Sequence, residues 1–263
     1  MPGMNPLAWY RRNVATPWAL IPAGVVAACL LTTYFFLRGA WRGGAAVASP
    51  MGGPGGAAPA TLAAWLMFIA ALSSFTCIFW TACVSPAPGH RSRVWLGYAL
   101  VADICGLILL ATSIDSALGL LAAFRVYALL LGFLAFCTMM AQQLRRFGAG
   151  ATTAVAGAVI FIMLAMPLVA APLLTVCNRA DSGTGAAIIA NLCPIFWILH
   201  AANPTLHYGW FSWLHTPLMY TASPLGQNMR MPRILPWWVL TLATLATAAV
   251  GSLPEYFVRR RRA

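Results

Sequence analysis

Lysine is absent from this chain, and only four acidic residues occur in its 263 positions: Asp103, Asp115, Asp181 and Glu255. Charged residues amount to 8% against 61% hydrophobic, whereas a water-soluble domain carries about a quarter charged. That shortage excludes a soluble globule. Also missing are C-x-x-C spacing, a phosphate-binding G-x-x-x-x-G-K loop, a G-x-G-x-x-G fingerprint, H-E-x-x-H and a G-x-S-x-G elbow. The chain therefore offers no nucleotide site, no metal site and no nucleophilic enzyme centre, and we expect no catalytic activity and no cofactor. Asp181-Ser182-Gly183 matches half of an aspartic protease signature. That chemistry needs two carboxylates sharing a proton, and no second copy exists.

What the chain does contain is arginine and long apolar runs. Sixteen arginines give a net charge of +12, standing in ones, twos and one terminal run of four beside apolar segments. That placement fits anchoring at a membrane surface rather than a nucleic-acid footprint. Lysine-free composition with abundant Ala, Gly and Pro points to a GC-rich bacterial coding sequence. A span needs about 20 apolar residues to cross about 30 Å of hydrocarbon. Six stretches qualify: Trp18 to Leu37, Leu62 to Val84, Val94 to Thr112, Ala117 to Met140, Thr152 to Val176, and Leu235 to Val250. A seventh, Ala186 to Ala202, is interrupted by Pro194 and closed by Asn203-Pro204. A proline inside a helix costs about 3 kcal/mol, so this stretch reads as a broken re-entrant or interfacial helix.

Short basic loops stay cytoplasmic. With the N-terminus inside, Arg11, Arg12, Arg91, Arg93, Arg145, Arg146 and Arg259 to Arg262 are cytoplasmic, against Arg38, Arg42, Arg179, Arg230 and Arg233 outside. Both termini then lie in the cytoplasm, which requires an even number of spans. The expected fold is an all-α polytopic membrane protein in a bacterial inner membrane. It has six transmembrane helices, an N-terminal interfacial helix and a broken outer helix between spans five and six. It forms a single domain over 1–263, with an N-terminal segment 1–17, a Gly/Ala/Pro-rich outer loop 43–60 and an outer loop 177–234. Asn5 to Arg12 reads equally as a short interfacial helix or as an aromatic and basic anchor. Arg11-Arg12 before an apolar run resembles a secretory signal, but that run is longer than a signal core, so it is read as a retained span. Between Asn203 and Trp238, Tyr208, Trp210, Phe211, Trp213, Tyr220, Trp237 and Trp238 belong at a headgroup layer.

Asp103 and Arg125 are the charges placed deep within the expected spans, and an intramembrane ion is a functional candidate by default. In antiparallel neighbours they differ in depth by about 3 Å, so they are expected to pair. Such a pair either joins two helices or forms part of a polar conduit, and both readings stand. His90 falls on the inner side, while His200, His207 and His215 fall in or near the last outer loop, which does not place haem ligands opposite one another within the bilayer. Cys177 and Cys193 flank the outer loop and are the one candidate disulfide.

Gln142-Gln143-Leu144-Arg145-Arg146-Phe147, followed by Ala149 to Ala156 and Met166-Pro167, forms a span, a basic turn and a further span. Together with Cys193-Pro194 through Asn203-Pro204 and Met4-Asn5-Pro6, this order resembles the permease subunit of type-2 ATP-binding-cassette exporters. The resemblance covers most of the chain. It implies six spans, both ends inside, a broken outer hairpin, a second permease subunit, identical or related, and a separate ATPase chain. The implied ATPase contacts are Arg11, Arg12, Pro88, Gly89, His90 and Arg91. The family commonly shows an acidic residue and an Arg-Gly-Thr-like turn at Ser85 to Arg93, and this chain has neither. A non-catalytic scaffold subunit of a respiratory or photosynthetic membrane complex is the alternative function; a membrane enzyme using the outer histidines or Asp181 is a third.

Overall fold

An apolar run surrounded by hydrocarbon has no water to bond its peptide groups, and a helix satisfies them within the segment itself. In the computed structural model every regular element among the described residues is helical; these residues are 17–44, 57–83, 90–115, 118–159, 162, 183–202 and 234–260. The helices are α1 (Pro17–Gly44), α2 (Ala57–Cys83), α3 (His90–Ile114), α4 (Leu120–Leu144), α6 (Gly183–Leu192), α7 (Pro194–Ala202) and α8 (Trp237–Arg260). A 3₁₀ turn (Arg145–Phe147) leads from α4 into α5 (Ala149–Val159). Among the described residues three segments are long and apolar enough to cross a membrane: Leu62–Cys83, Arg93–Ile114 and Leu120–Leu144. Gly24–Arg38, Ala149–Val159 and Trp237–Ser252 are the described parts of further apolar helices. The expected span Thr152 to Val176 overlaps α5 as far as Val159; beyond it only Ile162 is described.

Contacts between named residues fix the course of the chain. Tyr34 of α1 lies against Trp65 of α2, with ring centroids 6.4 Å apart. Trp65 reaches Thr112 at one end of α3, while Trp80 reaches the Arg93 carbonyl at the other. Tyr98 bonds to the Leu131 carbonyl of α4. Helices α1 to α4 therefore alternate in direction. Helix α8 runs parallel to α4, because Phe124 meets Trp237 near their starts and Gln143 bonds to the Gly251 carbonyl near their ends.

Helix α4 is the hub, packed against α2, α3, α7 and α8, while α1 packs on α2 and α3. Leu129, Leu130, Phe133, Leu134 and Cys137 of α4 are buried with Leu66 and Ile69 of α2, Leu109 of α3, and Ile195, Phe196 and Leu199 of α7. On α1 the buried positions Val26, Leu30 and Tyr34 recur every four residues, one stripe of a helix. Val25, Leu31, Phe35 and Phe36 are exposed beside them. Leu107, Leu110 and Ile114 of α3, Leu120, Leu121 and Phe124 of α4, and Leu242, Leu245 and Val250 of α8 are exposed too. An outer surface so apolar suits hydrocarbon rather than water.

Without a hydrophobic driving force between helices in lipid, close backbone approach and packing hold them together. A Cβ on Gly132 would collide with the Thr244 hydroxyl and come within 3.1 Å of the Thr241 carbonyl oxygen, and one on Gly251 would strike Met139. Gly132→Leu is accordingly expected to push α8 off α4 and destabilise the protein by about 1–3 kcal/mol. A lowered melting temperature in detergent would register this, and an unchanged one would mean that the helices are not so tightly apposed. At the far end of α4, Gly148 takes φ of 103°, a left-handed conformation that glycine adopts without penalty. Its carbonyl then accepts the Thr152 backbone N–H at 3.2 Å and the Thr152 hydroxyl at 3.0 Å, starting α5.

Candidate functional site

With so few acidic residues, each buried carboxylate marks a place where the fold has had to supply partners. Asp115 closes α3 through its N–H to the Ala111 carbonyl at 3.1 Å. Its side chain is only 3% exposed, and Arg38 Nε of α1 lies 2.8 Å from its Oδ2. The Nε–H does not point along that line, so the attraction is between charges rather than through a linear hydrogen bond. The Tyr34 hydroxyl donates to the same Oδ2 and also lies 3.2 Å from the Ala111 carbonyl oxygen. One turn deeper, Trp65 Nε1 donates to Thr112 Oγ1 at 3.2 Å. Tyr34, Arg38, Trp65, Thr112 and Asp115 thus tie three helices together at one end of the bundle.

Asp103 and Arg125, expected to pair, do not; the ion pair among the described residues is Arg38 with Asp115. Depth along the helices does not fix the direction in which a side chain leaves them. Asp103 is exposed and opens into a groove of about 750 Å³ between α3 and α4. The groove is walled by Gly106, Leu107, Leu110, Leu120, Phe124 and Tyr127. Arg125 is not part of that wall, although Phe124 is. It is half-buried, with a buried Nε that has no hydrogen-bond partner. Hydropathy missed Asp115 and Arg38 because both lie just outside the apolar runs, where charge is expected to be solvated.

Elsewhere in the bundle the polar side chains turn inward. Ser73, Ser74, Thr76, Thr81, Thr112 and Thr138 are buried, and each hydroxyl donates to the carbonyl four residues earlier on its own helix. That arrangement lets a hydroxyl sit in an apolar interior without a partner helix. The buried thiols of Cys77, Cys105 and Cys137 lie against Thr138, Ser73 and Ser74 respectively, a seam of small residues where α2, α3 and α4 meet. Among the described residues no group of three His, Cys, Asp or Glu side chains comes together to hold a metal ion.

Helix α6 breaks at Cys193, and Pro194 opens α7, where its missing N–H is one the first turn leaves unused anyway. Asn191 holds this corner. Its amide nitrogen donates to the Ala187 carbonyl at 2.7 Å, its backbone carbonyl accepts Trp197 Nε1 at 3.0 Å, and its Oδ1 accepts the Leu235 N–H at 2.8 Å, just ahead of α8. Cys193 is a buried free thiol; Cys177 lies outside the described residues. His200, on α7, is half-buried, and burial holds its imidazole below the ordinary 6.5, which keeps it neutral at pH 7.

Of the expected ATPase contacts, His90 and Arg91 are the first residues of α3, at the end of the bundle opposite Asp115; their side chains lie outside the described ones. Arg11, Arg12, Pro88 and Gly89 lie outside the described residues, as do His207, His215 and Asp181. The chain matches no protein-family model, no curated protein and no solved structure.

Proposed function

We propose that this chain is the membrane-spanning permease subunit of an ATP-binding-cassette export system in a bacterial inner membrane. In this reading it crosses six times with both ends in the cytoplasm. It pairs with a second permease subunit and is driven by a separate ATPase chain that meets Arg11, Arg12 and the loop from Pro88 to Arg91. The observation that carries the reading is the broken α6–α7 pair. Two short helices, broken at Cys193 with Pro194 opening the second, precede the last apolar helix, and α7 is buried against α4 and α2. That layout is the one implied by the resemblance to type-2 exporters. Arginine placement supports the sidedness, since the α4–α5 turn carries Arg145 and Arg146 at the same end of the bundle as Arg93. Because the buried hydroxyls are turned onto their own backbones, the cargo best suited to this chain is apolar or amphipathic.

Affinity purification of the tagged chain from its native membrane tests the proposal. An ATP-binding subunit is expected to co-purify stoichiometrically, with ATP hydrolysis that is lost when Arg11 and Arg12 are replaced by alanine. Recovery of the chain without such a subunit would defeat the reading. The same inward-turned hydroxyls also favour a second reading, a non-catalytic scaffold subunit of a respiratory or photosynthetic complex. Co-purification with pigment, haem or quinone proteins would select it.

A further inference from the structure

Asp103 sits near the middle of the apolar segment Arg93–Ile114, is exposed, and makes no ion pair with a described residue. A bare carboxylate at that depth is unfavourable unless it is neutralised or meets a positive charge. The groove it opens into is otherwise apolar. Leu107 and Leu110 line it on α3, Leu120 and Leu121 face them from α4, and Phe124 and Tyr127 complete the wall. At about 750 Å³ the groove falls within the size range of small-molecule sites. We infer that the groove between α3 and α4 is a binding site for a lipophilic monocation, an ammonium or phosphonium group on an apolar body, with its charge on Asp103.

The chemistry separates this occupant from the others. A neutral lipid chain would leave the carboxylate unmatched, and an anion would be repelled. A bare metal ion would find one carboxylate where it needs several oxygen ligands. A second copy of the chain has, within the three long apolar segments of the described residues, only Arg93 and Arg125 to offer as cations. Arg93 stands at the very start of its segment, ten residues from Asp103, and Arg125 is half-buried on α4. An apolar cation satisfies both halves of the site, since its body fills the wall of leucines, Phe124 and Tyr127 while its charge meets Asp103. The site stands whether or not the permease reading holds, because binding needs no ATPase.

The test is equilibrium binding of radiolabelled tetraphenylphosphonium to the purified full chain in phosphatidylcholine nanodiscs. Saturable binding of one cation per chain is expected. It should be displaced by dodecyltrimethylammonium and not by dodecanol or dodecyl sulfate. Asp103→Asn should weaken binding by about tenfold or more, while Asp103→Glu stays within about threefold of the parent. Leu110→Trp, which fills the groove and keeps the carboxylate, should also abolish binding and stands in if Asp103→Asn fails to fold. Absence of saturable binding to the parent chain, equal affinity in Asp103→Asn, or displacement by dodecanol as effective as by the cation would each overturn the assignment.

Discussion

Replacing Arg38 with leucine is expected to destabilise the protein by about 2–4 kcal/mol, more than replacing Arg38 and Asp115 together. The single substitution takes from the Asp115 carboxylate, 3% exposed, the cation paired with it among the described residues, while the Tyr34 hydroxyl stays. Removing one partner of a buried ion pair costs about 3–5 kcal/mol. The Arg38 side chain is 36% exposed, so solvent already screens part of the attraction and lowers the expected figure. Arg38→Leu with Asp115→Leu removes both charges and both desolvation costs, and should recover to within about 1 kcal/mol of the parent. Melting temperatures in detergent for the two single variants and the double variant complete a mutant cycle. If Arg38→Leu and the double variant melt together, the ion pair has no role in holding α1 to α3.

Trp65→Ala should cost about 3 kcal/mol or more, because it empties the largest fully buried side-chain position of the bundle. Its ring is stacked near Phe68, with centroids 6.1 Å apart, and also packs against Tyr34. Its indole N–H holds the Thr112 hydroxyl. In a bilayer the loss comes chiefly from vanished van der Waals contacts and an unmade hydrogen bond rather than from water. Trp65→Phe keeps one ring of the indole and loses the other with its hydrogen bond, so it should recover over half of the stability lost in Trp65→Ala. Equal melting of Trp65→Ala and Trp65→Phe would assign the whole effect to that hydrogen bond and contradict the packing account.

Features set by a short stretch of chain were readable from the residues. Apolar length alone places Leu62 to Val84 and Val94 to Thr112 within two residues of the apolar segments Leu62–Cys83 and Arg93–Ile114. The break at Pro194 follows from a missing backbone N–H, also a local property. The helices run past their apolar cores, as in α1 to Gly44 and α8 to Arg260, because polar residues continue a helix once it has begun. Relations between distant residues were not readable. Arg38 stands one residue beyond the apolar run that ends at Leu37, and Asp115 stands in the short gap between two runs. Their meeting depends on α1 lying against α3. Depth suggested that Asp103 and Arg125 would meet, yet at 3.6 residues per turn a small difference in rotation sends them to different sides. The central position of α4 was equally hidden, since its composition does not set it apart from α2.

Asn191 makes one mechanical unit of two elements that the sequence separates. Its side-chain oxygen is on the Leu235 N–H, two residues ahead of α8, and its main-chain oxygen is on the Trp197 indole of α7. A single residue thus fixes where the last helix begins relative to the kinked pair ahead of it.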